Sequence, residues 1–174
     1  MAAQDDFSML GLRQAGFSAP RPLKNIERPD VLGPRGAADV HGVYVVTHEP
    51  CPLPRFLKPD HPKRSTFTTV DEMAARWIPA ATVLYIGKAP LRKADDVTGK
   101  RDGLWQRIKE FRGFIYRART NHAGGEDLRR LPDRDEFLVC WKQVADPGLE
   151  ERRMIAGFRE AHGGMRPFGN RQDH

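Results

Sequence analysis

Apolar residues along this chain recur at two different periods, and the switch between them outlines the fold. Residues 42–46 (GVYVV), 82–86 (TVLYI) and 136–144 (EFLVCWKQV) are short runs rich in β-branched and aromatic side chains, which predict three strands. Between about 104 and 119 the period lengthens. Leu104, Ile108, Phe111, Phe114, Ile115 and Ala118 share one side of a predicted helix, and over 149–161 Met154, Ile155, Phe158 and Ala161 do the same. Thr69-Val70-Asp71-Glu72 has the form of a capping box and predicts a short helix to about Trp77, ended by Pro79. Gly87 is expected to stop the second strand, and Asp146-Pro147 to start a turn. Five prolines (Pro50, Pro52, Pro54, Pro59 and Pro62) break any regular element after the first strand.

The order strand, strand, helix, strand, helix predicts a small α+β unit with a long insertion, at about 47–81, between its first two strands. Residues 1–40 carry Pro20, Pro22, Pro29 and Pro34; they are expected to form a short helix near 6–14 and then an irregular arm lying on the domain at 41–174.

Composition narrows the classes. With 174 residues the chain fits one domain, and 39% hydrophobic and 30% charged residues describe a core beneath a charged surface. No run of about 18 apolar residues is present, so no membrane partner is expected. The opening MAAQDDFSML lacks a secretory pattern, and the expected location is cytoplasmic. Lys and Arg total 29 against 23 acids, a net charge of +6 that favours polyanions. Cys51 and Cys140 are the only cysteines, which argues against a disulfide scaffold or a cysteine zinc site. His41, His48 and His61 show no zinc spacing either.

Two charges stand out on the helical projections. Arg107 falls inside the apolar arc of the first main helix and Glu151 near the middle of the second, whereas Lys109, Glu110 and Arg117 point outward. A buried unpaired charge costs several kcal/mol, so each needs a partner. Either the two pair with each other as a structural salt bridge, or each lies at the wet end of its arc, or they line a polar cleft in which Glu151 holds a metal ion and Arg107 faces a phosphate.

At this point the chain resembles the GIY-YIG nucleases. Gly42-Val43-Tyr44 and Tyr85-Ile86-Gly87 match the name motif. Arg107 in LWQRIKEF matches the helix arginine, and Glu151, Met154-Ile155 and Phe158 match the second-helix signature. Asn170 in RPFGN matches the late asparagine. The resemblance implies a three-stranded antiparallel sheet flanked by helices. It also implies hydrolysis of DNA phosphodiester bonds with a single divalent ion, Mg²⁺ or Mn²⁺. The YIGKA run and the compact unit look most like the restriction-endonuclease branch, whose two-fold cutting of double-stranded DNA implies a homodimer.

The chain departs from the family at three places, one being a gap from Glu151 to Asn170 longer than in the shortest relatives. Tyr44 and Tyr85 are separated by far more than a short hairpin. One turn after Arg107, where relatives carry His or Tyr, stands Phe111. His122, in the following loop, is the candidate for the missing proton-transfer role.

By this resemblance Glu151 is the metal ligand, Arg107 the phosphate clamp, Tyr44 the general base and Tyr85 an orienting group. An ordinary tyrosine ionises near pH 10, so Tyr44 needs nearby positive charge, and Lys88 directly after YIG is placed to supply it. Lys63 and Arg64 in the insertion, with Arg92, Lys93, Lys100 and Arg101 in the loop after Lys88, are candidate phosphate contacts. Other cations, Arg129 and Arg130 among them, read as ordinary solvated residues. Two other readings stand beside the endonuclease: a nuclease-like module that binds nucleic acid without cutting, and a repair or structure-specific nuclease.

Overall fold

A computed structural model describes residues 6–32, 40–59, 68–90, 103–117 and 125–171. Among them four strands form a single antiparallel sheet in the order β1-β4-β2-β3: β1 Arg21–Pro22, β2 Gly42–Thr47, β3 Val83–Ala89 and β4 Leu138–Gln143. The helices are α1 Met9–Gln14, α2 Arg28–Leu32, α3 Val70–Ala75, α4 Leu104–Arg117 and α5 Pro147–Ala161. The α+β class is as expected, but the expected three strands become four. The added one comes from the N-terminal arm, where Arg21 and Pro22 pair with Val139 and Leu138.

That arm is part of the core. Leu23 and Ile26 are fully buried just after β1, and Phe7, just before α1, packs edge-on against Phe158 at 5.2 Å. The insertion also turns inward where it is described. Met73 of α3 and Trp77 are buried, and Phe56 stacks on Phe168. The Thr69 capping box forms as its residues require, with Thr69 Oγ1 accepting from the Glu72 amide and Glu72 from the Thr69 amide.

Two expected element ends move. β3 runs through Gly87 to Ala89, because Gly87 pairs with Tyr44 and gives its side-chain space to neighbouring rings. Asp146 and Pro147 open α5 rather than a turn: the Asp146 carboxylate accepts from the Leu149 amide at 2.9 Å, and proline suits the first helical position.

The sheet separates two cores. On one face Tyr44, Val46, Leu84 and Tyr85 pack with Leu104, Ile108, Phe111, Phe114 and Ile115 of α4. On the other, Val43, Val45, Val83 and Ile86 pack with Met154, Ile155 and Phe158 of α5. The pairing of β2 with β3 shifts between Val46 and Thr47, so Val46 faces Tyr85 while Thr47 faces Val83. Leu84 is the extra residue of that bulge, and Leu84 and Tyr85 both join the α4 side. No helix among the described residues is long and apolar enough to cross a membrane.

Candidate functional site

β3 is an outer strand, and its free edge is where the two faces meet. Its outward backbone groups are met one after another. Gly169 N–H donates to the Leu84 carbonyl at 2.8 Å. The Asn170 side chain then accepts from the Ile86 amide at 2.9 Å and donates to the Ile86 carbonyl at 2.8 Å. Last, Glu151 Oε1 accepts from the Lys88 amide at 3.1 Å. Asn170 therefore uses its amide oxygen and one amide N–H on the strand edge, which fits a positioning role.

Glu151 is buried on α5, and its second oxygen, Oε2, lies 2.8 Å from the Lys88 ammonium as an ion contact outside hydrogen-bond geometry. Arg107 pairs instead with Glu110, one turn along α4, at 3.1 Å. The direct Arg107–Glu151 bridge open to the sequence is thus replaced by two separate pairs. Glu110, expected to point into solvent, is half-buried and holds Arg107. The Arg107 Nε is buried and makes no hydrogen bond among the described residues.

The two phenols meet over Gly87 on the α4 side. The rings of Tyr44 and Tyr85 are 5.8 Å apart, and Phe111 closes the back wall, stacked on Tyr85 at 4.8 Å and edge-on to Tyr44 at 5.9 Å. Phe111 thus closes one side of the phenol pair with an aromatic wall.

Burial is the main force on both phenols. It pushes Tyr44 well above the ordinary tyrosine range, with the neighbouring Tyr85 phenol adding to the effect. Tyr85 is pushed up to about 12, again chiefly by burial. Arg107 favours ionisation of both, and Glu151 opposes it. The four groups are therefore in electrostatic reach of one another. The expectation that positive charge would bring Tyr44 down is overturned: desolvation outweighs the guanidinium, and the Lys88 charge is committed to Glu151.

Lys88, Glu151 and Asn170 thus meet at the Ile86–Lys88 edge, and Tyr44, Tyr85 and Arg107 on the α4 side are in electrostatic reach of Glu151. His122 and the candidate phosphate contacts Lys63, Arg64, Arg92, Lys93, Lys100 and Arg101 lie outside the described residues. Two of the cations read as solvated do not behave so. Arg129 is buried with its guanidinium 5.4 Å from the Phe114 ring, and Arg130 is buried and donates through Nε to the Leu57 carbonyl at 2.9 Å. Both pack inside the fold, which periodicity could not show because the turn that carries them is not a regular element.

A second polar cluster went unseen in the sequence. His48, Cys51 and Asp133 converge at the opposite end of β2. His48 and Asp133 are 85 positions apart, so no local spacing joins them.

No protein-family model, curated protein or solved structure matches this chain. The functional reading therefore rests on the residues of the site.

Proposed function

We propose that the chain is a divalent-metal-dependent endonuclease that hydrolyses DNA phosphodiester bonds, of GIY-YIG type and nearest its restriction branch. The observation that carries this reading is that two phenols, a guanidinium and a buried carboxylate lie in electrostatic reach of one another, with the carboxylate on the β3 edge. A phosphodiester offers what such a cluster lacks, a delocalised negative charge to satisfy a fork of donors. The under-satisfied Arg107 Nε supports phosphate as the ligand there, with the phosphate replacing Glu110 as the guanidinium's partner.

Glu151 fits a hard divalent ion. It is a buried oxygen donor whose Oε2 already faces one cation, the Lys88 ammonium, outside hydrogen-bond geometry. When bound, Mg²⁺ or Mn²⁺ would supply charge stabilisation at the phosphate and the leaving oxygen. Lys88 would then be released from Glu151, free to neutralise a non-bridging oxygen. Tyr44 holds its proton in the free protein, so it serves as base only once the incoming positive charge offsets its burial; otherwise it orients the water. Tyr85 and Phe111 fix its ring, and Asn170 fixes the strand.

The test is incubation of the purified protein with supercoiled plasmid, with and without Mg²⁺. Nicking or linearisation that needs the ion is expected, with Glu151→Gln and Arg107→Ala each slowing it by at least about a hundredfold while thermal unfolding shows both variants folded. Cutting that Glu151→Gln leaves intact would sink the assignment of that carboxylate. A restriction role adds two further expectations: discrete genomic fragments and a dimer on DNA.

One observation favours a second reading. Tyr44 held protonated beside an already neutralised Glu151 suits a module that grips nucleic acid without cutting. Ion-independent gel shifts with no product at any pH would support that alternative.

A further inference from the structure

His48 follows the last residue of β2, four positions beyond Tyr44 and thus about 13 Å along the strand from it. Its ring is buried, edge-on to Trp77 at 5.3 Å. Nε2 lies 3.2 Å from the Ala81 carbonyl oxygen, an atom that only accepts, so Nε2 carries the hydrogen. Nδ1 then turns toward Asp133 Oδ2, 3.2 Å away. A neutral ring would set a lone pair against a carboxylate at that distance, so some cation, a proton or a metal ion, has to lie between them.

Two further observations select the metal. The ligand atoms of His48, Cys51 and Asp133 all lie within 4.8 Å of one another, so a sulfur joins the nitrogen and the oxygen. A single proton would serve only two of the three. Asp133 also sits at the cap position of a turn of 3-10 helix, Arg134–Glu136, yet its side chain makes no capping bond, and its Oδ1 is buried with no hydrogen-bond partner among the described residues. The carboxylate has given up the usual task of an aspartate there and is turned toward the histidine.

We propose that His48 Nδ1, Cys51 Sγ and an Asp133 carboxylate oxygen bind one borderline-soft divalent ion of the zinc type. Nitrogen, sulfur and oxygen donors together are the set that zinc accepts. In a zinc tetrahedron neighbouring donors stand about 3.3–3.8 Å apart, so small side-chain rotations close the cluster. The His48–Ala81 bond is the outer-shell support expected of a ligating histidine, fixing both tautomer and ring plane. Binding would send the Cys51 thiol proton to solvent and leave the thiolate on the ion. Three protein ligands leave the fourth position of a zinc tetrahedron to water. The site ties the chain after β2 to the turn before β4, and the Cys51 carbonyl is already held by Trp77 Nε1 at 3.2 Å.

The purified 174-residue chain would be loaded with Zn²⁺, dialysed against metal-free buffer and assayed for bound metal, and titrated separately with Co²⁺. We expect about one zinc retained per chain and a sulfur-to-cobalt charge-transfer band in the near ultraviolet. The band should vanish in Cys51→Ser and persist in Cys140→Ser. A measurement on the unaltered protein guards against a variant that misfolds. Zinc should slow alkylation of Cys51 at least about tenfold, since a coordinated thiolate no longer attacks. No retained zinc and no protection of Cys51 would overturn the site, leaving a proton shared between His48 and Asp133. A charge-transfer band that survives Cys51→Ser would overturn it equally.

Discussion

A Cβ on Gly87 would stand 2.7 Å from Tyr44 Cζ and 2.7 Å from Tyr85 Cε1. The glycine therefore serves the packing of the phenols rather than the exit of a strand. Both rings are pinned by Phe111, so neither can retreat at low cost. Gly87→Ala is expected to destabilise the protein by about 1–3 kcal/mol in denaturant unfolding and to reduce cleavage by more than that loss explains, because the phenols move. The burial of Tyr44 carries a prediction of opposite character. A group whose proton is held above the ordinary range is almost wholly neutral at pH 7, and its ionised fraction rises about tenfold per pH unit. If Tyr44 acts as base, the logarithm of the cleavage rate should climb with pH at a slope of about one through pH 9, and Tyr44→Phe should remove that limb. A flat profile would assign Tyr44 to positioning alone.

At the scale of elements, the exposed edge of β3 is the feature that organises the site. An outer strand presents unpaired amides and carbonyls that have to be covered. Gly169, Asn170 and Glu151 cover Leu84, Ile86 and Lys88 in order, one residue from the tail loop after another and then one from α5. The candidate site and the edge pairing share residues, so a carboxylate that closes the edge is held rigidly where it faces Lys88. Asn170→Ala would strip both side-chain bonds from Ile86, at about 1 kcal/mol each and more if water does not replace them. The expected signature is local: faster hydrogen exchange at the Ile86 amide together with weaker cleavage. Asn170→Ala that leaves that amide fully protected would show that the edge does not depend on it. The bulge at Leu84 belongs to the same scale, since it brings Tyr85 to the α4 side beside Tyr44.

Across the whole molecule, a buried carboxylate joins parts of the chain that lie far apart in sequence. Asp127 receives Arg76 from the end of α3 and Arg171 from the tail, and Arg171 also donates to Thr68 Oγ1 at 2.6 Å. Burial by itself would raise the Asp127 carboxyl, but the hydrogen bonds and charges of Arg171 and Arg76 bring it below the usual range. A lowered carboxylate contributes stability that is complete above the unfolded value of about 3.9 and is lost as pH falls through the folded one. Asp127→Asn should therefore cost about 3–5 kcal/mol at neutral pH, because two guanidinium groups lose their partner, and the difference from the parent should shrink below about pH 4 in urea titrations.

The same distinction of range separates what was legible in the sequence from what was not. Strands β2, β3 and β4, helices α4 and α5 and the capping box at Thr69 follow from patterns within a dozen residues, where periodicity and local hydrogen bonding act directly. The motif residues Tyr44, Tyr85, Arg107 and Glu151 could also be named from the chain, because each is tied to one element and one face. Their partners could not. That Arg107 turns to Glu110 and Glu151 to Lys88, that Asn170 closes a strand edge, and that burial keeps Tyr44 protonated were decided by packing. So were the edge strand supplied by Arg21 and Pro22, the burial of Arg129 and Arg130, and the meeting of His48 with Asp133. Local patterns set which way a side chain leaves its own element; only the assembled fold sets what it meets there, and desolvation and charge pairing depend on that meeting alone.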